Sequence, residues 1–132
     1  MAGFSNHLAQ ALVNATLRAT AYSSPAVANL YLALFTADPT DANVTANEVS
    51  AAWYTRITTG TWAAPSGGVS SNLSTITFPA VTSASVTVTH IGIYDASTGG
   101  NLLYSQAMSA SKTLAVNDVL VFAIGDIDID LQ

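Results

Sequence analysis

The stretch Val86-Thr-Val-Thr-His-Ile-Gly-Ile-Tyr94 alternates in side-chain type and then meets Asp95-Ala-Ser-Thr-Gly-Gly-Asn101. A period of two marks a strand, because successive side chains point to opposite faces. The pattern places Val86, Val88, His90, Gly92 and Tyr94 on one face and Thr87, Thr89, Ile91 and Ile93 on the other. The paired glycines supply the turn of a hairpin, and Leu102-Leu-Tyr-Ser-Gln-Ala-Met108 reads as its return strand. A hairpin is marginal alone, so the rest of the chain must supply strands or a layer to cover it.

The rest of the chain supplies them. Leu30–Phe35 is a near-continuous apolar strand, which predicts burial on both faces. Trp53–Thr58, Leu73–Phe78, Lys112–Val116 and Val119–Ile124 read as further short strands. Turn clusters separate them at Asp38–Asp41 and Asn117-Asp118, with loops over 42–51 and 63–71. At the start, residues 3–19 read as an amphipathic helix with Phe4, Leu8, Ala11, Leu12 and Ala15 on one face. Ser5 or Gly3 caps its start, and Tyr22-Ser-Ser-Pro25 ends it. The fold class is therefore mainly β: an antiparallel β-sandwich or partly open barrel of about eight short strands with one N-terminal α-helix. The length predicts a single domain over residues 1–132.

The last strand is the row Gly125-Asp-Ile-Asp-Ile-Asp-Leu131. On a strand, Asp126, Asp128 and Asp130 share a face, successive ones about 6.8 Å apart. Ile127, Ile129 and Leu131 then point into the core. The first expectation is a solvent-facing strand whose charges discourage edge-to-edge pairing. A calcium site and a contact for a basic partner stay open. Calcium would need further ligands, because carboxylates on a flat strand diverge from a single ion.

Composition narrows the function. Charged residues are 8% of the chain and the formal net charge is −5. Only Arg18, Arg56 and Lys112 are basic. Duplex binding needs many cationic side chains to displace counterions, so no nucleic-acid partner is expected. No apolar run approaches the ~20 residues of a membrane span, so no membrane partner is expected either. Sixteen Thr and fourteen Ser replace charge on the surface. A surface so poor in charge suits a subunit that hides area in an assembly.

Catalytic motifs are lacking. His7 lies on the helix among polar neighbours, and His90 sits mid-strand as a hydrogen-bonded core or interface residue. Two histidines this far apart and no cysteine give no zinc motif. There is no G-x-S-x-G elbow and no G-x-G-x-x-G loop. No enzyme and no cofactor is expected.

The ordered segments LYLALFTADPTD, NEVS with Tyr54 and Arg56 after it, ITFPAV, VTHIGIYDASTGGNLLYSQAM, SKTLAVNDVLVF and AIGDIDIDL resemble a family of small bacteriophage virion proteins. Its members are labelled tail fibre proteins, and some act as head decoration (cement) proteins. The resemblance implies a virion location and a structural role. It implies decoration of a phage head first, through the major capsid protein and copies of itself as a trimer. A tail-fibre or adhesin module binding the host surface is the alternative. The expected contacts are Phe4, Leu8 and Leu12 on the helix, with Trp53 and Trp62; an adhesin would use Trp53, Trp62 and Tyr104. Where the family pattern has a glycine-rich turn after NEVS, this chain has Ala51-Ala-Trp53, which predicts a loop reshaped into a specific contact.

Overall fold

The computed structural model describes residues 3–131. Residues 1, 2 and 132 of the expected 1–132 domain lie outside the described residues. Among the described residues there are nine strands: β1 Gly3–Phe4, β2 Tyr31–Phe35, β3 Ile57–Thr58, β4 Val69–Ser71, β5 Ile76–Thr77, β6 Val86–Tyr94, β7 Leu102–Leu114, β8 Val121–Phe122 and β9 Asp128–Asp130. One α-helix, α1, spans Asn6–Leu17. All the strand pairings are antiparallel.

The main sheet has five strands in the order β1-β7-β6-β2-β3. The β6–β7 hairpin expected from its alternation and its glycine turn is at its centre. Two separate ribbons, β4-β9 and β5-β8, form the second layer. The arrangement is an open β architecture and does not close into a barrel.

Register explains the core. Phe4, Tyr104, Ile93, Leu32 and Ile57 are Cα partners in one row across all five strands. Leu32, Leu34, Ile91 and Ile93 bury against Ile76, Phe122, Ile127 and Ile129 of the ribbons. On the reverse face Ala33, Phe35, Tyr94 and Leu102 form a second cluster. Hence β2 is buried on both faces, as its apolar run predicts.

Gly92 is needed in this reverse cluster. A Cβ there would stand 2.8 Å from Leu102 Cδ1 and 2.9 Å from Phe35 Cε2. Between the ribbons, Asn72 is fully buried and its side chain makes three hydrogen bonds. It donates to the carbonyls of Ser74 and Ala123, both at 2.9 Å, and accepts from the Ile127 N–H at 2.9 Å.

The structure departs from the expectation at several elements. The helix is shorter than 3–19, because Gly3 and Phe4 pair with Ser105 and Tyr104 as β1. Ser5 is the cap, its hydroxyl accepting from the Leu8 N–H at 3.1 Å. The expected strand at 53–58 reduces to β3, since the Tyr54 N–H donates to the Ala51 carbonyl and holds 51–54 in a turn. The strands at 73–78 and 119–124 shrink to β5 and β8, leaving Leu73 and Ile124 exposed. The strands at 102–108 and 112–116 merge into the thirteen-residue β7.

Two face assignments are also corrected. Val86 and Val88 pack with the cluster of Ile91 and Ile93, not with that of Tyr94. The β6–β7 register shifts between Val88 and His90, and a bulge of this kind breaks the alternation locally.

Candidate functional site

The chain's most developed polar network surrounds Arg56. Arg56 sits immediately before β3 and is 8% exposed. Its guanidinium forks onto Glu48, with Nε to Oε1 at 2.8 Å and Nη2 to Oε2 at 2.7 Å. Its Nη1 donates to the carbonyls of Ala96 at 3.1 Å and Gly99 at 2.8 Å. The guanidinium carbon lies 3.5 Å from the centre of the Tyr94 ring. Burial disfavours the Arg56 charge, but the Glu48 hydrogen bonds outweigh it and hold the guanidinium above its ordinary value.

Two tyrosines complete the network. The Tyr54 hydroxyl donates to Glu48 Oε1 at 2.7 Å and accepts from the Leu34 N–H at 3.1 Å. Its ring stacks on Phe78 in the core at 6.3 Å. The Tyr94 hydroxyl donates to Asn43 Oδ1. Burial pushes the Tyr94 phenol up to about 12, with Arg56 pulling against the rise. Burial and the Glu48 hydrogen bond raise Tyr54 further.

This network does one physical thing. It ties the loop before Glu48, the start of β3 and the β6–β7 turn into one rigid unit. Asp95 closes the same turn, accepting from the Asn101 N–H at 2.7 Å. Gly100 holds a φ of +70°, and a Cβ there would meet Asp95 Oδ1 at 2.6 Å. Among the described residues the Glu48–Arg56 ion pair is inside the fold, with both side chains largely covered. Its carboxylate accepts from Arg56 and Tyr54, so the network holds these loops together.

The residues expected to make contacts fall in different places. Phe4 is half-buried in β1, with its ring 5.7 Å from Tyr104. Leu8 is buried beneath α1 at 2% exposure, and Leu12 is half-buried. The outward face of α1 instead shows Val13 and Leu17, which is 79% exposed. Trp53 does not reshape its loop into an outward contact. It is buried in the core, edge-on to Tyr54 at 6.0 Å, and its Nε1 has no hydrogen-bond partner among the described residues. Trp62 is half-buried, its Nε1 donating to Thr59 Oγ1 at 3.0 Å.

The acidic row is only partly a strand. Gly125 has a φ of +82°, and Asp126 lies in the turn before β9, accepting from the Ala123 N–H at 2.8 Å. Asp128 accepts from the Ser71 hydroxyl. Ile127 and Ile129 point inward as expected, but Leu131 is 46% exposed. Among the described residues, no three His, Asp or Glu side chains gather closely enough to hold a metal ion. His7 is exposed, and His90 Nδ1 shares a hydrogen bond with Thr89 Oγ1 at 2.8 Å. No helix among the described residues is long and apolar enough to cross a membrane.

Glu48, Tyr54 and Arg56 lie close together in one segment, Tyr94 and the glycine turn lie in another far along the chain, and no local pattern joins the two. One signal is present. In a chain with three basic residues, Arg56 sits within Trp53-Tyr-Thr-Arg-Ile-Thr58, an apolar setting that demands a buried partner.

Fold and network together define a small β scaffold whose polar interior is structural. A family model described as "Podophage GP4 fiber I protein gp80" matches residues 3–130. The chain belongs to this family, and it is a structural protein of the bacteriophage virion. No individually curated protein matches it.

Proposed function

We propose that the protein is a fibre subunit of a podophage tail and that it acts by contact, without catalysing a reaction. The observation that carries this reading is the family match over residues 3–130. The description of that family favours a fibre over the head decoration that the sequence resemblance put first. The Arg56 network suits the role, because it stiffens loops that a contact surface would otherwise have to order on binding.

The function is mechanical. Each subunit buries area on neighbouring virion proteins, and repeated contacts give avidity that no single contact has. The partner is a virion protein, a further copy of the chain or the host surface. Copy number tests the assignment. Quantitative mass spectrometry of purified virions should give a few to a few dozen copies per particle, as tail symmetry allows. Hundreds of copies would return the protein to the head surface.

A further inference from the structure

Seven of the twelve residues of α1 are apolar, yet only Leu8 is buried. Leu8, Ala11, Leu12 and Ala15 share the side that packs on β1 and β7. At 3.6 residues per turn, Asn6, Gln10, Val13 and Leu17 fall on the opposite side, about 180° away. All four are exposed, Val13 by 53% and Leu17 by 79%. They follow one another at four, three and four residues, the spacing of a and d positions in a heptad. Gln10 and Val13, with Ala9 and Asn14 beside them, line an open hollow of about 410 Å³ on this face. A hollow between four helical side chains is the hole that takes a knob from a facing helix.

We propose that this stripe packs on the same stripe of a second copy of the chain, with the helices parallel around a rotation axis. Val13 and Leu17 then meet their own kind, and Asn6 and Gln10 meet theirs. The sheet side of each α1 faces away from the axis.

Charge and order along the stripe select the occupant. Asn6–Leu17 holds no Asp, Glu, Lys or Arg. Charges flanking the seam are what direct a helix to a different partner, and their absence leaves nothing to exclude a copy of the same sign. A membrane surface is a poor fit, because an interfacial helix carries cationic residues on its polar face. The stripe is also divided, with both amides in its first half and both aliphatics in its second. An amide donates and accepts, so it satisfies another amide. Antiparallel helices would instead set Leu17 against Asn6 and Val13 against Gln10. A helix of twelve residues is marginal alone, but the sheet and the Ser5 cap already order α1, so packing adds little ordering cost. Four seam positions make a weak contact in dilute solution, which gains strength where an assembly holds copies close together.

The inference deepens the contact role by naming a copy of the chain as one partner. Its test uses the purified full chain, so its failure is distinct from a copy number that refutes the tail location. The chain has no cysteine, which makes introduced thiols specific reporters. Asn6→Cys with Leu17→Cys is oxidised mildly in concentrated solution, and the disulfides are mapped by mass spectrometry. The two positions lie roughly 16–17 Å apart along one helix, too far to join within a chain. Chance collisions would give like links (6 to 6, 17 to 17) and unlike links (6 to 17) in equal numbers. The expected result is an excess of like over unlike links of at least about tenfold. Adding Val13→Ser should remove the excess while the dilute chain keeps its melting temperature, since Val13 is exposed in the single subunit. Equal numbers, or no disulfide at all, would mean that another molecule covers the stripe and overturn the proposal. An excess of unlike links would show antiparallel packing and overturn it as well. So would a like excess that survives Val13→Ser.

Discussion

Replacing Arg56 with Met keeps an unbranched apolar stem and removes the guanidinium. Four hydrogen bonds disappear, two to Glu48 and two to the carbonyls of Ala96 and Gly99. Glu48 is left mostly covered, with only the Tyr54 hydroxyl to hold its charge. Breaking a buried pair from one side costs about 3–5 kcal/mol, because the remaining ion keeps its desolvation penalty. At roughly 3 °C per kcal/mol for a chain of this size, the melting temperature should fall about 10–15 °C. Thermal unfolding followed by circular dichroism measures this directly. The double variant Arg56→Met with Glu48→Gln removes the stranded charge and should recover part of the loss. Arg56→Lys should fall between, since an ammonium cannot fork onto Glu48 while reaching both turn carbonyls. A loss below about 1 kcal/mol for Arg56→Met, well under the range for breaking a buried pair, would refute the reasoning. So would losses that simply add in the double variant, because contacting residues should couple.

The packing sets four further outcomes. Gly92→Ala puts a Cβ 2.8 Å from Leu102 Cδ1 and should cost about 1–3 kcal/mol in urea unfolding. Asn72→Ala strands the Ser74 and Ala123 carbonyls and the Ile127 N–H, and should cost at least about 3 kcal/mol. On α1, Leu8→Asp should destabilise the fold while Leu17→Ser leaves the melting temperature unchanged, because Leu8 is 2% and Leu17 79% exposed. Alkali should unfold the protein as pH rises from about 10, the unfolded tyrosine value. Tyr94 keeps its proton up to about 12 when folded, so the unfolded state loses protons first. Stability is then fully present below the unfolded value and falls as pH climbs to the folded one, by at most about 1.4 kcal/mol per pH unit for each such tyrosine. Tyr94→Phe should flatten that slope in a pH series of denaturation curves.

Local signals made much of the fold legible. The alternation in Val86–Tyr94 and the glycines after it specify the β6–β7 hairpin, and the unbroken apolar run of β2 specifies its two buried faces. The losses came where a distant partner decides. Gly3 and Phe4 read as helix until β7 offers them an edge. Val88 changes face because of a bulge that needs both strands to form. Trp53 reads as a surface aromatic only if its loop points outward, and the turn at 51–54 carries it into the core. The Arg56 network spans 40 residues to Ala96 and 43 to Gly99, a separation that no local periodicity encodes. The surroundings of the acidic row were equally hidden, since the row shows its own spacing but not the β7 residues across from it.

A cryo-electron microscopy reconstruction of the intact virion, with this fold fitted to its density, tests the central claim most directly. The account predicts the five-stranded sheet and its two ribbons in density at the tail, in contact with neighbouring protein. Density for the fold on the outer face of the capsid shell, or its absence from mature particles, would contradict it.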